Sequence, residues 1–255
     1  MILEVKNLSK QYSCGFFGLN KINAVNDVSF YIDDGEIFGL IGESGCGKTT
    51  ITRMIMGLLK PTKGNIIFEN ENITRLNTKQ WRPFRKKIQI VFQNPQMTFN
   101  PRRNLYFSCA EPIKIHGLSK DMNEKAMIRH MIERVGITEE QLKKFPHEIS
   151  GGQAQRLSIA RALSLNPRLL VCDEPTSMLD VSVQAHILKL IKETNEKYGV
   201  SMLFISHDLE VIKAMCSRIA VMKNGCIIET GYTNEIFNNP KHEYTKKLLS
   251  SYIKI

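Results

Sequence analysis

No stretch of this 255-residue chain approaches the ~20 consecutive apolar residues a helix needs to cross a bilayer. Runs such as Ile37–Gly42 and Val200–Ile205 are strand-sized. The first ten residues, MILEVKNLSK, place an acid fourth and lack an apolar h-region, so no signal peptide is expected. Attachment to a membrane would therefore go through a partner or the surface. The six cysteines (Cys14, Cys46, Cys109, Cys172, Cys216 and Cys226) include no C-x-x-C pair, which argues against a zinc site and a disulfide framework and for reduced thiols. Internal repeats and low-complexity segments are lacking too, which excludes solenoid and fibrous architectures. Acids are the minority charge, 25 against 35 bases, and the net +10 suits an anionic partner: a nucleotide, a nucleic acid or an acidic membrane surface. Charge alone does not choose among them.

The chain does have a hydrophobic content of 42%, enough for one good core. Strand patterns dominate the first forty residues: Val28, Phe30 and Ile32 alternate with Ser29 and Tyr31, and Glu36–Ile41 reads as a more buried strand. A helical pattern follows from Lys48 to about Leu59, then short strands at Asn65–Phe68 and Ile88–Phe92. From Asn94 to Leu165 the signals are helical, Asn123–Val135 among them, as expected of an insertion into an α/β core. Strand and helix then alternate through Leu169–Cys172, Val181–Lys197, Ser201–Ile205 and Leu209–Met215, with a hairpin across Asn224-Gly225 and a basic amphipathic helix over His242–Ile253. Such alternation predicts a parallel sheet covered by helices.

GESGCGKT, Gly42–Thr49, fits G-x-x-x-x-G-K-[ST] between a strand and a helix, where a phosphate loop has to lie. Gly42, Glu43, Ser44, Gly45, Cys46, Gly47, Lys48, Thr49 and Thr50 are the candidate phosphate-binding residues; Lys48 reaches the β/γ-phosphates and Thr49 ligates Mg²⁺. The bland alternative, a glycine-rich turn with a surface lysine, is disfavoured by the flanking strand and helix. LLVCDE, Leu169–Glu174, is an apolar strand ending in two carboxylates: Asp173 to hold Mg²⁺ and Glu174 to polarise the attacking water. Without the phosphate loop, a solvated turn would be the better reading of that pair. In ISGGQAQR, Ile149–Arg156, Ser150 can cap a helix and Gln153 completes a capping box, yet Gly151 and Gly152 weaken a first turn and suit close approach of a phosphate. That makes a second anion-binding helix start, and one nucleotide needs only one phosphate loop.

In this order the motifs resemble those of the ABC ATPase family, over most of the chain: the phosphate loop, Gln93 after a strand, SGGQ, the DE pair, SMLD (Ser177–Asp180) and His207 after Ile205-Ser206. The resemblance implies an α/β P-loop NTPase fold with a mostly parallel core sheet, an N-terminal antiparallel β region and an inserted helical subdomain. It divides a single domain, 1–255, into a core (1–93 and 166–232), a helical signature subdomain (94–165) and a helical tail (233–255). It further implies ATP and Mg²⁺ as ligands and a head-to-tail pair of ATPase subunits, self or homologous, in which Ser150 and Gly152, within Ser150–Gln153, face the γ-phosphate on the partner's loop. Gln93 then senses metal and attacking water, Asp180 speaks across the interface, His207 contacts the γ-phosphate, and Tyr12 stacks on adenine, with Phe16 or Phe17 as substitutes. Departures are small: Ile149, Ala154 and Met178 stand where leucine, a polar residue and alanine are usual.

FQNPQMTFNPR (Phe92–Arg102) and HEYTKKLL (His242–Leu249) are similar to strings in the ATPases of peptide and nickel importers. That implies two transmembrane permease subunits, an extracytoplasmic solute-binding protein and a place on the cytoplasmic face of the membrane. A soluble ABC ATPase acting on nucleic acid or ribosomes is the rival; its usual paired domains or long coiled coil are not here, and no nucleic acid is expected. Position suggests that the segment after Gln93, Asn94–Glu111, presents Met97, Phe99, Leu105, Tyr106 and Phe107 to a permease helix.

Overall fold

The computed structural model describes residues 1–14, 20–118, 123–177 and 179–250. β1 (Leu3–Cys14) and β2 (Asn20–Ile32) pair antiparallel, and the expected alternation holds, with Val28, Phe30 and Ile32 buried and Ser29 and Tyr31 exposed. β3 (Ile37–Ile41) leads through the phosphate-loop string into α1 (Lys48–Ile55). α1 is shorter than its apolar pattern suggests, because Gly57 N–H donates to Met54 O and Leu58 N–H to Arg53 O, closing the helix with a Schellman motif. β4 (Lys63–Phe68) and β5 (Glu71–Asn72) extend the antiparallel sheet, in the order β2-β1-β4-β5.

α2 (Thr78–Lys87), capped by Asn77 and Gln80 in a reciprocal box, precedes β6 (Ile88–Val91). A 3₁₀ turn at Pro95–Thr98 opens the helical stretch of α3 (Leu105–Ile115), α4 (Glu124–Glu133), α5 (Glu139–Leu142) and α6 (Gly151–Leu163). Alternation resumes with β7 (Leu169–Asp173), α7 (Val181–Tyr198), β8 (Ser201–Ile205), α8 (Leu209–Met215), β9 (Arg218–Lys223), β10 (Cys226–Tyr232), α9 (Thr233–Asn238) and α10 (Glu243–Ser250). The core sheet runs β10-β9-β3-β8-β7-β6, parallel except at the β9–β10 hairpin, where Asn224 and Gly225 both take positive φ. β3, β7 and β8 are buried along their whole length, as strands covered on both faces should be.

Three apolar clusters follow. One lies between the antiparallel sheet, α1, α2 and one face of the core sheet; the second joins the other face to α7, α8 and α10; the third, around Leu105, Ile113, Ile132 and Leu157, belongs to α3–α6. The fold class is the expected one. The apolar patch expected after Gln93 is not: Phe99 is buried beneath Arg161 of α6, whose guanidinium lies 4.8 Å from its ring, and Leu105 is buried in the third cluster. Tyr106 and Phe107 are half-buried, and Met97 alone of the five stands open. No helix among the described residues is long and apolar enough to cross a membrane.

Candidate active site

The loop after β3 is organised around its own lysine. Lys48 is buried, and its Nζ donates to the carbonyls of Gly42 at 2.6 Å and Glu43 at 2.9 Å, with Cys46 Sγ at 3.7 Å. A buried ammonium needs acceptors, so the loop's carbonyls curl inward around it. Gly47, at φ 113, begins α1, and a Cβ there would stand 2.5 Å from the carbonyl oxygen of Ala24 on β2. Gly47 also brings no capping side chain, which leaves the first-turn N–H groups of α1 as donors for an anion. Glu43, Ser44, Gly45 and Thr49 are exposed around this helix start and Thr50 is half-buried, while Gly42 and Cys46 lie inside.

Parallel register explains which side chains meet beside it. Val91 pairs with Cys172 and Asp173 with Ile205, so the residues just beyond β6, β7 and β8 emerge side by side at one sheet edge. There Gln93 Nε2 donates to Glu174 Oε2 at 2.9 Å and to Ser177 Oγ at 3.1 Å, and His207 Nδ1 stands 3.3 Å from the same carboxylate oxygen. Side chains from two strand ends thus converge on the carboxylate that follows a third. Glu174 itself sits at φ 50, a left-handed conformation costing a non-glycine residue on the order of 1–2 kcal/mol, held by its N–H bond to Ile205 O at 2.9 Å. Its neighbour Asp173 is buried; burial, then the Glu174 charge, push its pKa up against the opposing pull of Lys48 and Arg53.

At α6 the capping box is present: Gln153 N–H donates to Ser150 Oγ at 3.3 Å and Ser150 N–H to Gln153 Oε1 at 3.1 Å. The two glycines differ. A Cβ on Gly152 would lie 2.6 Å from Val183 Cγ1, so packing against α7 already demands glycine there, whereas one on Gly151 would meet nothing nearer than Leu179 at 3.8 Å. Ser150 and Gly151 are exposed, and nothing among the described residues gives a steric reason for glycine at 151. Asp180 caps α7, its carboxyl held below the usual range by the N–H of Val183, then by the Ser182 hydroxyl. Tyr12 is half-buried, paired with Ile22 on β2, with Lys10 Nζ 5.3 Å from its ring; no contact with the phosphate loop is among its described interactions. Phe16, Phe17 and Met178 lie outside the described residues.

Two residues were given no role of their own from sequence. Ser177 shares Gln93 with Glu174, and Gln155 on α6, fully buried, donates from Nε2 to Pro175 O at 2.7 Å and Phe92 O at 3.4 Å, tying the signature helix to the segments carrying Glu174 and Gln93. A glutamine among the mostly apolar buried positions of this helix was the available signal.

The family model for ABC transporters matches residues 25–177. Among curated relatives, the oligopeptide transport ATP-binding protein OppF of Streptococcus mutans is 43% identical over 98% of this chain and 81% of its own length. The dipeptide transport ATP-binding protein DppF of Lactococcus lactis is 43% identical over 98% and 80%. Among solved structures, a dimeric post-hydrolysis state of the ATP-binding cassette MJ0796 bound to ADP and Pi superposes with a TM-score of 0.82 at 28% identity, covering 91% of this chain and 99% of that one. The phosphate loop, the converging Gln93, Glu174 and His207, and these likenesses agree: the chain belongs to the ABC transporter family and is an ATP-hydrolysing subunit.

Proposed function

We propose that this chain powers a peptide importer, hydrolysing ATP in a site it shares with a second ATPase subunit. The observation that carries the chemistry is the Glu174 carboxylate, held by Gln93 and His207 beside the phosphate loop. Glu174 takes the proton of the attacking water; Gln93, within one hydrogen bond of it, orients that water; Lys48 leaves its loop carbonyls for the β/γ-phosphates. His207 and the α1 N–H groups meet the charge that gathers on the γ-phosphate.

The residues fit a magnesium ion as well. A buried Asp173 with a raised pKa lacks enough positive charge around it, and with the Thr49 hydroxyl and Gln93 it offers the oxygen donors that Mg²⁺ prefers. Bound there, the ion would neutralise phosphate charge.

A second subunit is supported by the exposed start of α6, where Ser150 and Gly151 stand open, and by the dimeric form of the MJ0796 cassette. Peptides, rather than nickel or a metallophore, are supported by relatives named for oligopeptide and dipeptide transport. With them come two permease subunits, a solute-binding protein and a position on the cytoplasmic face of the membrane. Permease docking falls to a groove of 450 Å³ lined by Leu58, Trp81, Arg85, Phe92, Ile115 and His116. It lies between α2 and the end of α3, and Thr98 and Glu111 of the segment expected from sequence belong to its lining, whereas the aromatic side chains expected to be presented there do not. In the assembled transporter, Glu174→Gln should keep ATP binding and lower hydrolysis at least a hundredfold, while Lys48→Ala should weaken binding itself. Normal turnover by Glu174→Gln would overturn the assignment.

A further inference from the structure

The string His242–Leu249 has no part in the chemistry above, yet it ends on the phosphate loop. Glu229 of β10 receives the N–H groups of Lys241 at 2.8 Å and His242 at 3.1 Å, and His242 Nδ1 accepts from Tyr244 N–H at 3.0 Å, which fixes where α10 begins. From that start Tyr244 is carried into the core beside β9, with Lys223 Nζ 4.7 Å from its ring, and its hydroxyl accepts from the backbone N–H of Glu43 at 3.3 Å. The peptide unit joining Gly42 to Glu43 is therefore held at both ends: its carbonyl by Lys48 Nζ at 2.6 Å, its N–H by Tyr244.

We propose that Tyr244 is a positioning residue for ATP binding: its hydroxyl fixes the orientation of the Gly42–Glu43 peptide, so that the loop keeps the shape a phosphate requires once Lys48 has left the carbonyl. In this structure Lys48 holds the loop from within. When Lys48 turns to phosphate, the Gly42 carbonyl loses its partner, and a peptide unit beside a flexible glycine is free to rotate unless its N–H stays bound. Tyr244 supplies that bond from an element far away in sequence. Nucleotide affinity thereby depends on whether α10 is seated on β10, and the tail motif acquires a function in the ATPase cycle.

The inference rests on reading Gly42–Thr50 as the phosphate site, and the test separates the two. Tyr244→Phe keeps the ring, its burial and its contact with Lys223 and removes only the hydroxyl. Using the full chain and a methylanthraniloyl derivative of ATP, the Kd of Tyr244→Phe should rise roughly three- to tenfold, the worth of one neutral hydrogen bond, and the affinity for ATP should suffer far more than kcat at saturating ATP. Tm should stay within about 2 °C of the parent, and affinity is read well below it. A Kd that does not move, or a loss confined to kcat, would overturn the proposal for Tyr244. If Lys48→Ala bound the same probe as tightly as the parent, the reading of the loop itself would fail; if Lys48→Ala loses affinity and Tyr244→Phe does not, only this inference fails.

Discussion

Asp173 illustrates how a single side chain can be costly to the fold and necessary to the reaction. Burial and the neighbouring Glu174 raise its pKa, with Lys48 and Arg53 pulling the other way. A carboxyl whose pKa is higher in the folded chain holds its proton more tightly there than in the unfolded one. Its contribution to stability is thus complete below the ordinary aspartate pKa of about 3.9 and is lost as pH climbs through the raised value. At neutral pH the ionised group weighs against folding. Asp173→Asn should therefore raise the Tm of the ligand-free chain at pH 7 and abolish hydrolysis, and its advantage in Tm should shrink as pH falls toward 4. Thermal melts of both proteins across that range check it; an equal advantage at every pH would show that charge is not the cause. Glu174 makes the same point through its backbone, since its left-handed φ of 50 at a non-glycine position is a strained conformation, and Ile205 O holds its N–H in it.

At the scale of elements, α6 shows packing and function sharing a motif. Gly152 is where α6 touches α7, and a Cβ would overlap Val183 at 2.6 Å. Gly152→Ala should destabilise the chain by about 1–3 kcal/mol, and adding Val183→Ala should recover most of that. Denaturant melts of the two single variants and the double test it, and equal losses in Gly152→Ala with or without Val183 would show that the contact is not the reason for glycine. Much of the fold was legible from elements of this kind: the strands ending in the phosphate loop and in Asp173, the capped start of α6, and the Asn224-Gly225 hairpin all carry local signals. β1 was less distinct, because bulges between Val5 and Gln11 break its alternation, and α2 was hidden by five charged residues and an internal Pro83 in TKQWRPFRKK. The site residues were named in sequence, but their convergence on Glu174 depends on strand register, which no local pattern encodes. Phe99 misled for a related reason: its cover, Arg161, comes from a helix more than sixty residues on. The docking surface should accordingly follow the groove. Leu58 and Ile115, both more than half exposed at its rim, can be changed to glutamate without disturbing a core. Leu58→Glu and Ile115→Glu should lower transport and permease-stimulated hydrolysis while the lone subunit still binds ATP; unchanged coupling in both would place the permease elsewhere.

For the whole molecule the question is what two chains do that one cannot. The phosphate loop and its carboxylates complete the hydrolytic half of a site, and Ser150 and Gly151 offer an exposed helix start with no phosphate of their own. If each site is composite, damage to a loop and damage to a signature fall on different sites when they are carried by different chains. A chain bearing Lys48→Ala keeps its signature; a chain bearing Gly151→Asp keeps its loop, and the aspartate puts a negative charge where a γ-phosphate must approach. Each variant alone forms pairs in which both sites are spoiled. In a mixed pair, one site has both defects and the other has neither. Equimolar mixing should therefore restore hydrolysis well above either variant alone, to about a quarter of the parent rate when half the pairs are mixed and one of two sites works in each. ATPase activity followed while the ratio of the two chains is varied, at concentrations where they associate, measures this directly. Activity that stays at the level of the separate variants at every ratio would mean that copies of this chain do not complete each other's sites. A related second ATPase chain mixed with the Gly151→Asp variant should then restore what the Lys48→Ala chain could not, since only the signature facing the intact Lys48 loop has to be supplied.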